Sequence, residues 1–120
     1  MRIGELSKRT GVSQRSLRYY EQQGLLASVR APSGQRHYDE EHVRRVELIR
    51  AFLSAGLPSH TIAELVPCMA EPSRPGAERA LAAMRRERER LSLAIDSLTA
   101  ARAALDDLMD ANRNYLAEHA

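Results

Sequence analysis

The apolar positions of this chain fall into short helical runs up to about residue 67 and then into one long, regular stripe. In the first run, "IGELSKRT", Ile3 and Leu6 are spaced to share one helix face, and Gly11 follows as a stop. "GVS" supplies a tight turn in which Ser13 caps the next helix by accepting a hydrogen bond from an unpaired backbone N–H two or three residues on. That second helix is expected to reach about Gln23 and to end at Gly24. Two short helices joined by a glycine-containing turn form a helix-turn-helix. Two short segments, Leu26 to Arg30 and Gln35 to Tyr38, then flank the turn formers Pro32, Ser33 and Gly34, which predicts a two-stranded wing.

Asp39 is placed to cap a third helix whose apolar stripe runs through Val43, Val46, Leu48 or Ile49, Phe52 and Leu53, with Gly56 as its end. Ser59 is expected to cap a fourth helix, "HTIAELVPCMA", and Pro67 to disrupt its end. "GVSQRSL" and "GLPSHTI" share a glycine, an apolar residue and a serine before a helix, an internal echo without proof of duplication.

"EPSRPG", residues 71–76, reads as a linker, and Ala77 to Ala120 contain neither glycine nor proline. Steps of three and four from Leu81 give Leu81, Met84, Arg88, Leu91, Ile95, Leu98, Arg102, Leu105, Met109, Asn112 and Leu116. Eight of these eleven positions are apolar, so the stripe is a heptad seam. A helix of this size, about 60 Å long, cannot bury its stripe on so small a domain. A second copy is the simplest cover, with Arg88, Arg102 and Asn112 as polar interruptions that fix register. The predicted organisation is a winged helix-turn-helix domain over residues 1–70, a linker over 71–76 and a dimerisation helix over 77–120.

Composition then narrows the function. A chain with 43% hydrophobic and 28% charged residues suits a soluble, helix-rich protein. No apolar run approaches membrane-spanning length and no apolar signal segment follows Met1, so a cytoplasmic location without membrane association is expected. The single cysteine, Cys68, excludes an internal disulfide framework and any multi-cysteine zinc site. The net charge is only +2, but residues 1–38 hold seven basic side chains against two acidic ones, a balance of +5. Three of the four tyrosines, Tyr19, Tyr20 and Tyr38, fall in the same basic segment. A basic head on an acidic body is the pattern of a chain that meets a polyanion at one end, although charge alone also allows a solvated basic surface.

Tyr19 and Tyr20 are about 100° apart around their helix, so one joins the core and the other faces out. Tyr19 belongs to the outer sweep with Gln14, Arg15, Arg18 and Gln22, where its hydroxyl can reach a phosphate oxygen. Arg30, Arg36 and His37 give the wing its own phosphate-contacting potential. An enzyme is not indicated: the four histidines are scattered and no glycine-rich phosphate loop is present. A pure coiled-coil interaction module would leave the basic head without a role.

The runs "IGELSKRTGVSQRSLRYYEQQGLL", "R-x-x-SG-x-R-x-Y" (Arg30 to Tyr38) and "IRAFLSAGLPSHTIAELV" resemble the MerR family of bacterial transcription regulators over residues 2 to about 67. The resemblance implies a mostly α fold, with a winged helix-turn-helix domain followed by a long C-terminal helix that forms an antiparallel coiled-coil dimer. It implies a pseudo-palindromic promoter operator as partner, and a promoter spacer bent and untwisted for RNA polymerase. Carried onto this chain, Arg15, Ser16 and Arg18 would face bases, Tyr19, Tyr20, Arg36 and Tyr38 would hold phosphates, and Arg30 would add a backbone contact. The wing sequence Gln35-Arg36-His37 departs from the family's usual arginine- or tyrosine-rich pattern. Leu81, Met84, Leu91, Ile95, Leu98, Leu105, Met109 and Leu116 would form the dimer seam. Metal-sensing members carry two or more cysteines and cluster-binding members four, so a lone Cys68 supports neither a metal site nor a cofactor within one subunit. Cys68 is the candidate effector or redox residue, against a reading as a small buried apolar side chain. No small-molecule effector is identifiable. An effector-independent repressor or architectural DNA-binding protein is the alternative function.

Overall fold

The computed structural model describes residues 1–120. Two α-helices, α1 (Ile3–Thr10) and α2 (Gln14–Gln22), are followed by two short strands, β1 (Val29–Arg30) and β2 (Arg36–His37), and then by α3 (Glu40–Ser54), α4 (Ser59–Ala70) and α5 (Arg74–Glu118). The strands pair antiparallel, Val29 with His37 and Arg30 with Arg36. The chain divides into two units, Met1–Ala83 and Met84–Ala120.

In the first unit α1 packs on α2 and α3, and α3 packs on α4. The core is built from Leu6, Leu17, Tyr38, Val46, Ile49, Ile62, Leu65 and Val66, all fully buried. Leu17 presents the inner face of α2 to this core, while Leu25 and Leu26 fold under the helix end, their N–H groups donating to the Tyr20 carbonyl. Arg9 on α1 makes two 2.8 Å bonds to the Glu40 carboxylate at the start of α3.

The helix boundaries follow local chemistry. Gly11 adopts φ 73° as the left-handed cap of α1, a conformation that costs a glycine little. Ser13 Oγ accepts from the Ser16 N–H at 3.1 Å and starts α2. Asp39 accepts from the N–H groups of Glu41 and His42, and its own N–H donates to His42 Nδ1, a capping box completed by histidine.

Five expectations shift. The wing strands are two residues each, because Leu26 belongs to the core and Tyr38 turns inward. Leu53 lies outside the core stripe, exposed near the end of α3. Pro58, not Ser59, is the N-cap of α4, and its carbonyl accepts from the N–H groups of Thr61 and Ile62. The echo is geometric nonetheless: Gly11 and Gly56 both have positive φ, and Val12 and Leu57, which follow them, are both buried. Pro67 does not end α4, which continues to Ala70 with the proline ring on the exposed side. The break between α4 and α5 is only residues 71–73, since Ser73 Oγ accepts from the Gly76 N–H and Pro75 falls in the first helical turn, where a missing N–H costs nothing.

In the second unit α5 continues without interruption to Glu118. Its seam residues stand in solvent in the single chain, from Leu91 at 37% exposure to Leu98 at 70%.

Candidate nucleic-acid interface

On α2, Arg15, Arg18, Tyr19 and Gln22 follow one another at helical spacing and are all exposed, Tyr19 at 48%. Ser16 is half-buried, bonded to the Ser13 cap through both its N–H and its hydroxyl. Tyr20, one step around the helix, is buried in the core at 7% exposure. Of the adjacent pair, one tyrosine therefore braces the helix and the other faces out.

The wing lies alongside this helix. Arg18, Glu21, Gln22 and Arg36 line a hollow of about 330 Å³, and Arg15, Arg18, Tyr19 and Gln22 line a second of about 360 Å³. The two hollows share Arg18 and Gln22, so the outer face of α2 and the wing strand β2 border one continuous basic surface. Arg30, at the wing, donates through Nη1 to the Gly34 carbonyl at 2.9 Å and closes the wing turn on itself.

Glu21 joins helix and wing. Its Oε2 pairs with Arg36 Nη1 at 3.2 Å, and its Oε1 accepts a short hydrogen bond from the Tyr38 hydroxyl. Tyr38 has no exposed surface, and its ring meets His42 edge-on with centroids 5.3 Å apart. The His42 ring in turn donates through Nε2 to the Ala27 carbonyl at 2.7 Å, in the segment that leads into the wing. Burial pushes the Tyr38 hydroxyl up to about 12; the hydrogen bond to Glu21 and the charge of that carboxylate act in the same direction, while Arg36 opposes them.

The sequence-based contact set thus separates in space. Arg15, Arg18, Tyr19, Arg30 and Arg36 are exposed, Ser16 is half-exposed, and Tyr20 and Tyr38 are interior. Glu21 and His42 were missed. The signal for Glu21 was present: it is the only acid on α2, and Arg36 and Tyr38 stand two apart in the expected wing segment, a spacing that a single carboxylate can serve.

Cys68 sits half-buried on α4, its Sγ 3.5 Å from the Glu64 carbonyl one turn back. Arg74, at the start of α5, pairs with Glu78 at 3.0 Å. No helix is long and apolar enough to cross a membrane.

The model of the MerR HTH family regulatory proteins matches residues 1–67, more than half of the chain and the whole of this helix-turn-helix and wing. The chain belongs to the MerR family. The matched segment is the DNA-binding domain of a family of transcription regulators, which are not enzymes. Among relatives, the MerR-family chain is 38% identical to the nodulation protein NolA of Bradyrhizobium elkanii over 108 residues, covering 89% of this chain and 46% of the relative. It therefore spans about half the length of that curated relative. Among solved structures it resembles the transcription regulator PbrR691 of Ralstonia metallidurans in complex with lead(II), at 29% identity and a TM-score of 0.78, covering 90% of this chain and 84% of that one. It also shares its fold with HiNmlR, a MerR family regulator lacking the sensor domain and bound to promoter DNA, at 18% identity and a TM-score of 0.59, covering 88% and 83%.

Proposed function

We propose that this MerR-family regulator acts in the cytoplasm as a homodimer on a pseudo-palindromic operator inside a promoter, bending and untwisting the spacer so that RNA polymerase can use it. The observation that carries this reading is the continuous basic face formed by Arg15, Arg18 and Tyr19 of α2 with Arg36 of the wing. A helix with exposed arginines fits the major groove, and a flanking basic wing fits the phosphate backbone beside it. In this assignment Arg15, Ser16 and Arg18 meet base edges, while Tyr19, Arg36 and Arg30 hold phosphates. Tyr20 and Tyr38 are interior, so they serve from behind: Tyr20 braces α2, and Tyr38 ties the wing to it through Glu21.

The dimer reading is supported by the exposed heptad seam of α5, Leu81, Met84, Leu91, Ile95, Leu98, Leu105, Met109 and Leu116, most of which stands in solvent in one copy. A dimer also supplies the two recognition helices that a palindromic site needs, and the many phosphate contacts that the deformation of DNA demands.

The test is binding of the purified protein to the duplex upstream of its own reading frame and to a scrambled duplex of equal length, across a salt series, with Arg18→Ala alongside. Tight, selective binding that Arg18→Ala weakens by roughly 1–3 kcal/mol, with loss of selectivity, is expected. Equal affinity for both duplexes would replace this reading with an architectural role.

A further inference from the structure

Resting on the proposed action on a promoter operator, we propose that Gln22 is a further specificity-determining residue, reading one adenine in each half of that operator. Successive residues of an α-helix stand about 100° apart around its axis. Gln22 is therefore about 20° from Arg15 and about 40° from Arg18, and lies between the two. Tyr19 bounds the same exposed face on the far side of Arg15. Gln22 thus occupies the middle of the surface that a groove floor would meet. Ser16, by contrast, stands about 100° from Arg15 and is half-buried against the Ser13 cap.

Two glutamines of α2 are exposed, and the structure separates them. The Gln14 amide nitrogen is turned back toward α1, 3.5 Å from where a Cβ on Gly4 would stand. Gln22 lines both hollows of the basic face together with Arg18. In the hollow beside the wing, Glu21 and Arg36 already hold each other, and Glu21 also holds Tyr38. That leaves Arg18 and Gln22 as the side chains there that can turn to a duplex.

The chemistry of Gln22 then decides what it contributes. It carries no charge, so it adds nothing to the salt-dependent attraction of phosphates. Its carboxamide places an acceptor, Oε1, beside the donor Nε2 in one plane. In the major groove adenine presents the complement, a donor at N6 beside an acceptor at N7. Guanine presents two acceptors and suits the neighbouring arginines instead. Along the helix Gln22 lies about 6 Å beyond Arg18, more than one base step of about 3.4 Å, so the two side chains address different base pairs.

The experiment takes the duplex upstream of the reading frame, changes each base pair in turn, and measures binding of the full chain and of Gln22→Ala by fluorescence anisotropy across a salt series. With the wild type, changing one A·T pair in a half-site to G·C is expected to lower affinity by roughly 5- to 150-fold. Gln22→Ala should become indifferent at that pair alone and keep the cost of every other substitution. Its slope of log affinity against log salt should stay unchanged, since no charge is lost. Gln22→Arg should move the preference at the same pair from A·T to G·C. If Gln22→Ala weakens all duplexes evenly, keeps every positional cost, or becomes indifferent at a G·C pair, the assignment of Gln22 is overturned while selective binding by the wild type leaves the operator reading standing. A wild type that binds native and scrambled duplexes equally removes both.

Discussion

Replacing Tyr38 by phenylalanine removes one hydroxyl and keeps the buried ring, so it isolates the bond that ties the wing to α2. The hydroxyl donates to Glu21, whose side chain is only 13% exposed and whose other oxygen stays with Arg36. A hydrogen bond to a charged group contributes about 1.5–3 kcal/mol, and the retained Arg36 partner argues for the lower end, about 1.5 kcal/mol. In a small domain this corresponds to a fall in Tm of roughly 6–12 °C.

The same hydroxyl gives the prediction a pH signature. Its pKa in the folded chain is pushed up to about 12 by burial and by Glu21. In the unfolded chain a tyrosine titrates near 10. A folded pKa above the unfolded one means that the stabilising contribution is complete below about pH 10 and is lost as pH rises toward about 12. At pH 11 the unfolded chain gains from releasing this proton by about 1 kcal/mol, once screening by solvent at the edge of Glu21 is allowed for. The measurement is urea unfolding of both proteins at pH 7 and pH 11, followed by circular dichroism. Every other ionisable group is common to both proteins and cancels, so the difference isolates Tyr38. It should shrink from about 1.5 kcal/mol to a few tenths. A difference below about 0.5 kcal/mol at pH 7, or one that stays constant with pH, would refute the account of Glu21 as the anchor of the wing.

Two further outcomes follow from other parts of the first unit. Ser13→Ala removes the side-chain acceptor that starts α2 and should cost about 1 kcal/mol in urea unfolding, while Ser13→Gly should cost only a few tenths. Arg36→Ala should weaken operator and scrambled duplex alike and lower the slope of log affinity against log salt by about 1, because a phosphate contact carries charge but no base sequence.

What the sequence disclosed and what it concealed divide along a physical line. Local signals were legible: Gly11, Ser13 and Asp39 mark helix ends because their chemistry acts within four residues of where they stand. The wing was legible for the same reason, with its turn formers between two short segments. Tyr38 was misplaced because its environment is not local. Basic neighbours in sequence suggested a phosphate, yet a carboxylate 17 residues earlier takes the hydroxyl. Pro67 was over-read, since its missing N–H was weighed without the tertiary packing of Leu65 and Val66 that carries α4 onward.

The buried hydroxyl also bears on the proposed deformation of DNA, which would ask much of a wing of four strand residues. Two strands of two residues have too few ladder bonds to hold an arm rigid by themselves. The rigidity comes from outside the sheet: Arg36 and Tyr38 both end on Glu21 of α2, and His42 fixes the approach to the wing through the Ala27 carbonyl. In the proposed complex, work done by α2 in a groove and by the wing on a phosphate would be transmitted through one carboxylate. A loose wing would follow the backbone of straight DNA; a wing fixed to the recognition helix imposes its own angle on the duplex, which is what bending requires. Tyr38→Phe should therefore lower the bend angle as well as stability, and a variant that lost stability but bent its operator as fully as the wild type would separate the two roles.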